Sequence, residues 1–122
     1  MTNIAEQVLV VTGGTSGIGE AFARSFGAEG ASVVIAGRNG EKAQRIASDI
    51  VKAGGKAIGV TCDVTQQSDC DALIAATLAE YGRLDTVFAN HGAAGEIGPL
   101  VRWSDEDVQQ TVNVNLLGTL YL

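Results

Sequence analysis

The segment Thr12-Gly13-Gly14-Thr15-Ser16-Gly17-Ile18-Gly19 constrains this chain more than any other stretch. It follows a short apolar, β-branched run, Val8–Thr12, of the kind found in a strand buried on both faces. After it, Ile18, Ala21, Phe22 and Phe26 recur three or four residues apart over residues 17–27, the spacing of a helix with one face on a sheet. Glycines at 13, 17 and 19 therefore fall on a strand-to-helix turn. There they let the chain reverse sharply, let its backbone approach a ligand, and let the helix pack close to the sheet. Such a turn offers backbone N–H donors to an anion, and Thr15 and Ser16 can add hydroxyl donors. A purely structural turn is the competing reading, and the strand before and helix after it weigh against that reading.

The same alternation continues along the chain. A second strand is expected over residues 32–36. Ala43, Ile46, Ala47, Ile50 and Val51 then repeat the helical spacing, and Gly54-Gly55 ends that helix in the left-handed conformation glycine accepts cheaply. A third strand covers about 57–62. Cys70, Leu73, Ile74, Thr77 and Tyr81 form the next helical stripe, closed by Gly82, and Thr86–Ala89 make a fourth strand. The order βαβαβαβ implies right-handed crossovers and a doubly wound, Rossmann-like parallel sheet. Beyond Pro99, Ser104 and Asp107 are spaced as a capping box for a last helix carrying Val108, Val112, Leu116 and Leu120. The apolar pattern runs to Leu122 without a helix stop signal, which reads as an incomplete fold of four strands within one domain, 1–122.

Sixteen glycines beside a single proline agree with this α/β reading. The net charge of −6 is spread without a basic block, so nucleic acid and anionic membrane are not expected partners. No secretory leader or apolar run of about 20 residues is visible, and a cytoplasmic location is expected. Cys62 and Cys70 are too few for a disulfide framework and lack a second pair at metal spacing, so no metal site is expected.

The spacing T-G-x-x-x-G-x-G after the first strand resembles the short-chain dehydrogenase/reductase family. The resemblance covers nearly all 122 residues but only about the first half of a typical member. It implies a nicotinamide dinucleotide held by Gly13, Thr15, Ser16, Gly17, Ile18 and Gly19. At the end of strand two, where an acidic residue commonly reads the ribose hydroxyls, the chain has Gly37 followed by Arg38. With no carboxylate to repel a 2′-phosphate and a guanidinium able to fork onto it, the site favours NADP(H) over NAD(H). Asn39 could bond the same group; a solvated surface arginine is the alternative for Arg38.

Cys62-Asp63-Val64 resembles the family's adenine-site segment, which implies contacts from Asp63 and the Val64 backbone. A capping role for Asp63 toward the helix beginning near Gln66 competes with this without excluding it. Ala89-Asn90-His91-Gly92-Ala93 stands where the family has N-N-A-G, a partial fit in which Asn90 and Gly92 can still turn the chain beside the nicotinamide ribose. His91 without an identifiable partner reads as structural. Asn113-Val114-Asn115-Leu116-Leu117-Gly118 resembles the segment whose second asparagine belongs to an Asn-Ser-Tyr-Lys catalytic set, so Asn115 is the catalytic candidate; a polar helix residue bonding its surroundings is the alternative.

The family's Tyr-x-x-x-Lys pair is not matched. Tyr81 is followed four residues on by Asp85, and Tyr121 is the penultimate residue. The resemblance thus implies the cofactor-binding part of an NADP(H)-dependent oxidoreductase acting on a small alcohol or carbonyl compound, with negligible turnover for these residues alone. A free-standing, non-catalytic nucleotide-binding or interaction module is the alternative. On either reading, the open edge of strand four calls for a neighbour, and homo-oligomers are expected.

Overall fold

The computed structural model describes residues 3–122. A 3₁₀ turn, Ile4–Glu6, leads into β1 (Val8–Thr12), α1 (Gly17–Ala28), β2 (Ser32–Gly37), α2 (Gly40–Lys52), β3 (Lys56–Thr61), α3 (Gln67–Tyr81) and β4 (Thr86–Ala89). The four strands form one parallel sheet in the order β3-β2-β1-β4. The expected doubly wound α/β architecture is thus the one observed.

Alternation along the central strands divides the core into two layers, because successive side chains point to opposite faces. Leu9, Val11, Val33 and Ile35 pack beneath α1 and α2 with Ala23, Ala43, Ile46, Ala47 and Ile50. Val10, Val34 and Ala36 face the other way, against Cys62, Val64, Cys70 and Leu73 on the α3 side. Every residue of β1 and β2 is buried, at about 1.5–3 kcal/mol for each large apolar side chain removed from water. The edge strand β4 is only partly covered.

Several local expectations shift. Ile18 is 74% exposed and Ala21 also faces outward, so α1 buries Gly19, Ala23 and Gly27 instead, with Phe22 and Phe26 half-buried beside them. Small residues four apart bring the helix axis close to the sheet, and a larger side chain at 18 has no place in that contact. Val51 likewise lies outside the buried stripe of α2. Strand three starts one residue earlier than expected, because Lys56 already pairs with Ser32. Gly54 and Gly82 do adopt positive φ, +94° and +73°.

The Ser104–Asp107 capping box forms and opens α4 (Asp105–Val112). The helix then widens into a π turn, Asn113–Leu117, before a last α-helical turn, Gly118–Leu120. Uninterrupted α-helix was expected here, and no residue in the segment announces the change. Val108, Val112, Leu116 and Leu120 remain largely exposed.

Candidate functional site

In a parallel α/β sheet, ligands bind beyond the carboxyl ends of the strands, where neighbouring strands send their connections in opposite directions. Here that point lies between β1 and β4, since the chain leaves β1 toward β2 on one side and returns from β3 to β4 on the other. A cleft of about 450 Å³ opens there. Its walls include Gly13, Thr15, Ser16, Gly17 and Ile18 after β1, Arg38 after β2, Asp63 and Val64 after β3, and Asn90 and Gly92 after β4. Four strand ends that are far apart in sequence thus supply one site.

The glycine-rich turn is built for close approach. Gly13 and Gly17 take φ of +62° and +54°, a region that L side chains rarely enter. At Gly17 a Cβ would meet open space, so only backbone conformation restricts that position. Gly19 differs, because its Cβ would lie 2.3 Å from the Gly13 carbonyl oxygen and 2.5 Å from Asn90 Nδ2. It does not line the cleft; its role is to let α1 seat against the turn. Ser16, the residue capping α1, makes no side-chain bond to the helix. The first-turn N–H groups, which have no partner within a helix, are left to a ligand at the positive end of the helix dipole.

Asn39 and Asp63 are partly committed elsewhere. Asn39 lies outside the cleft lining, and its Oδ1 accepts from the Lys42 N–H at 3.1 Å as the N-cap of α2. Asp63 does line the cleft. Its Oδ1 accepts from the Thr65 hydroxyl at 2.7 Å and the Thr65 N–H at 3.0 Å, and these bonds hold its carboxyl below the ordinary carboxylate range, with help from the Arg38 charge. The cap position of α3 is Gln66, so Asp63 organises the turn before the helix and does not cap it. Its own N–H donates to Asp69 Oδ2 at 2.9 Å.

After β4, Asn90 Nδ2 donates to the Gly13 carbonyl at 3.2 Å, tying this loop to the glycine-rich turn. Asn115 sits in the π turn, where it accepts from the Ala93 N–H at 2.9 Å and donates to the Ala93 carbonyl at 2.8 Å. Both ends of its amide are spent on one backbone unit. Gly92 fits beneath this pair, with 3.3 Å between its Cβ position and Asn115 Oδ1.

His91 does have partners. Its Nδ1 is 2.7 Å from the Thr12 hydroxyl and its Nε2 is 3.3 Å from the Thr119 hydroxyl. Burial pushes its pKa below the ordinary imidazole value, opposed in part by a hydrogen bond with the Val114 backbone. A neutral ring bridging two hydroxyls suits the structural role expected of it. Thr12, Cys62, Ala93, Gln110 and Val114 also line the cleft, and sequence reasoning did not assign them to it. Thr12 opens the glycine motif and could have been chosen on that ground; Gln110 and Val114 carry no local signal. The Cys62 thiol is buried and pushed up to about 12, by burial first and by Cys70 second.

Residues 7–122 match the family model described as short chain dehydrogenase. The chain belongs to that family. Relatives of this short-chain dehydrogenase chain include a 2,5-dichloro-2,5-cyclohexadiene-1,4-diol dehydrogenase from Sphingobium indicum, 38% identical over 98% of the chain and 46% of the relative. A 3beta-hydroxysteroid dehydrogenase from Mediterraneibacter gnavus is 37% identical over 95% of the chain and 42% of its own length. Among solved structures, a 3-ketoacyl-ACP reductase from Sinorhizobium meliloti superposes with a TM-score of 0.90 at 34% identity, covering 93% of this chain and 45% of that one. Another from Brucella melitensis, complexed with NADH, gives 0.88 at 32% identity, covering 95% and 46%. The chain therefore spans a little under half the length of these relatives. No helix among the described residues is long and apolar enough to cross a membrane, and no group of three or more potential metal ligands occurs among them.

Proposed function

We propose that this chain is the cofactor-binding part of an NADP(H)-dependent oxidoreductase that interconverts an alcohol and a carbonyl compound. When bound, the nicotinamide supplies the hydride chemistry. The chain's own residues hold and orient it. The glycine-rich turn and the first turn of α1 would take the diphosphate, as the uncapped N–H groups above Gly17 fit them to do. Asp63, with one carboxyl oxygen held by Thr65, would offer the other to the adenine amino group, beside the Val64 backbone. Asn90 and Gly92 would shape the wall nearest the nicotinamide ribose. Asn115 would act at the catalytic end by fixing the Ala93 backbone, leaving its main chain in the π turn to serve the proton path.

The observation that carries the cofactor assignment is Arg38, lining the cleft next to Gly37 with no carboxylate at the end of β2. A planar guanidinium binds a phosphate through two parallel bonds, whereas an acidic residue there would select the unphosphorylated ribose. The Brucella relative complexed with NADH makes the competing cofactor a direct comparison. Fluorescence titrations of the purified protein with NADPH and NADH test the assignment. The wild type should bind NADPH more tightly, and Arg38→Asp should move the NADPH/NADH preference toward NADH by roughly 10- to 100-fold. An unchanged ratio would sink the phosphate-binding role of Arg38.

A further inference from the structure

The chain has a single histidine, and both of its ring nitrogens are engaged. Counting protons gives the direction of each bond around it. The Thr119 hydroxyl has one proton and donates it to the Asn115 main-chain carbonyl at 3.2 Å, so toward the ring its oxygen can only accept. His91 Nε2, 3.3 Å away, therefore carries the proton of the neutral ring. A ring N–H also donates to the Val114 carbonyl, and Nε2 is the nitrogen on that side, 3.1 Å from where a Cβ on Gly118 would stand. Nδ1 is then a bare acceptor. It takes the Thr12 hydroxyl proton at 2.7 Å in preference to the Phe88 carbonyl, which lies 3.5 Å from the same oxygen.

We propose that His91 is a positioning residue for Asn115, tying the π turn to the end of β1 through hydrogen bonds that all run one way, from the Thr12 hydroxyl through the ring to Thr119 and the Asn115 carbonyl. The inference rests on the reading of Asn115 above and gives its main chain a support. The Asn115 side chain is already held by the Ala93 backbone, which leaves the carbonyl as the part still to be fixed. Thr12 opens the glycine-rich turn, so the cofactor seat and the π turn share one frame. Each group that donates becomes a better acceptor for the next, and the series polarises the Asn115 carbonyl from a distance. With Thr119 on one lone pair of that oxygen, the other is aimed by the same contact. An aliphatic side chain at position 91 has neither the donor nor the acceptor that the series needs.

Nuclear magnetic resonance at about pH 8, where the ring is neutral, reads the series directly. The imidazole nitrogens of the wild type give the tautomer, and carbonyl carbon shifts of Val114 and Asn115 are compared among wild type, His91→Ala, Thr12→Val and Thr12→Ser. Circular dichroism melts establish that each variant folds. Nε2 should carry the proton. His91→Ala should displace both carbonyl signals and speed amide exchange at Ala93 roughly threefold or more. Thr12→Val, which removes only the first hydroxyl, should displace the Asn115 carbonyl in the same sense by less, and Thr12→Ser should return it to the wild-type position.

A proton on Nδ1 would overturn the proposal. So would an Asn115 carbonyl that His91→Ala moves and Thr12→Val does not, because the ring would then hold the helix without passing anything on. If Thr12→Val does not fold, Thr119→Val, at an exposed position, breaks the series at its other end and should shift the Nδ1 resonance; an unmoved Nδ1 also overturns it. Binding of neither NADPH nor NADH would sink the function proposed above, while these resonances still decide whether His91 positions Asn115.

Discussion

The stretch from β1 to β3 and the stretch from β4 onward differ in how completely they satisfy themselves. In the first, both faces of β1 and β2 are covered by their own helices, and residues such as Leu9, Val11, Val33 and Ile35 have no exposure at all. In the second, Ile97 is 97% exposed, Val101 91%, Leu100 71% and Leu120 70%. Apolar surface on this scale marks a place where something else packs. The contrast shows that the end of the cleft at the glycine-rich turn is fully packed while its far wall leaves apolar surface open. Asn90 to Gly13 and His91 to Thr12 add to the pairing of β4 with β1, and Asn115 to Ala93 and His91 to Thr119 tie the last helical segment to the loop after β4.

The largest expected effect attacks the fully packed half where it has no slack. Gly19→Ala places a methyl group 2.3 Å from a backbone oxygen, and backbone cannot step aside as a flexible side-chain end can. The loss should be about 3 kcal/mol, with a fall in melting temperature of roughly 10 °C or more. Calorimetric scans of wild type and variant decide it. A melting temperature within a degree or two of wild type would mean that the turn and α1 are looser than the contact implies, and the contrast between the halves would lose its main support.

What the sequence made legible follows the same division. The boundaries of β1 and β4 could be read because apolar, β-branched runs meet glycine or polar turns there, and the cleft residues contributed by the glycine-rich turn follow from its position between strand and helix. The orientation of α1 was less legible. Its periodicity drew attention to Ile18 and Ala21, whereas close packing selected the glycine and alanine positions that a hydrophobic count passes over. Asn39 shows a different limit, because a residue suited to bonding a phosphate is equally suited to capping a helix, and only the structure shows its Oδ1 on Lys42. The π turn carries no sequence mark. Within it Asn115 pairs with Ala93, 22 residues away, a contact that no local pattern announces.

That pairing gives an intermediate effect and sharpens the comparison. Asn115→Ala removes two hydrogen bonds to an exposed backbone unit, which is worth about 1 kcal/mol in total because water replaces part of what is lost. The consequence should be local. Amide exchange at Ala93 should speed up while amides of β1 and β2 keep their protection, since stability is distributed in separately opening units. Unchanged exchange at Ala93 would show that the loop after β4 is held by something other than Asn115.

His91 offers the smallest effect, and it touches both halves at once. Its ring spans Thr12 at the end of β1 and Thr119 in the last helical turn, and burial holds its pKa below the ordinary value of 6.5. A group with a depressed folded pKa binds fewer protons folded than unfolded. Stability from it is present above pH 6.5 and declines as the pH falls through the window beneath that value. His91→Asn keeps a polar side chain at the junction and removes the titration. Melting temperatures of the two proteins should therefore converge on acidification from about pH 7.5 to pH 5, by an amount on the order of 1–2 °C given the ring's partial exposure. Parallel curves would mean that the imidazole keeps its bridge when protonated, and the junction between the halves would then be indifferent to the charge on His91.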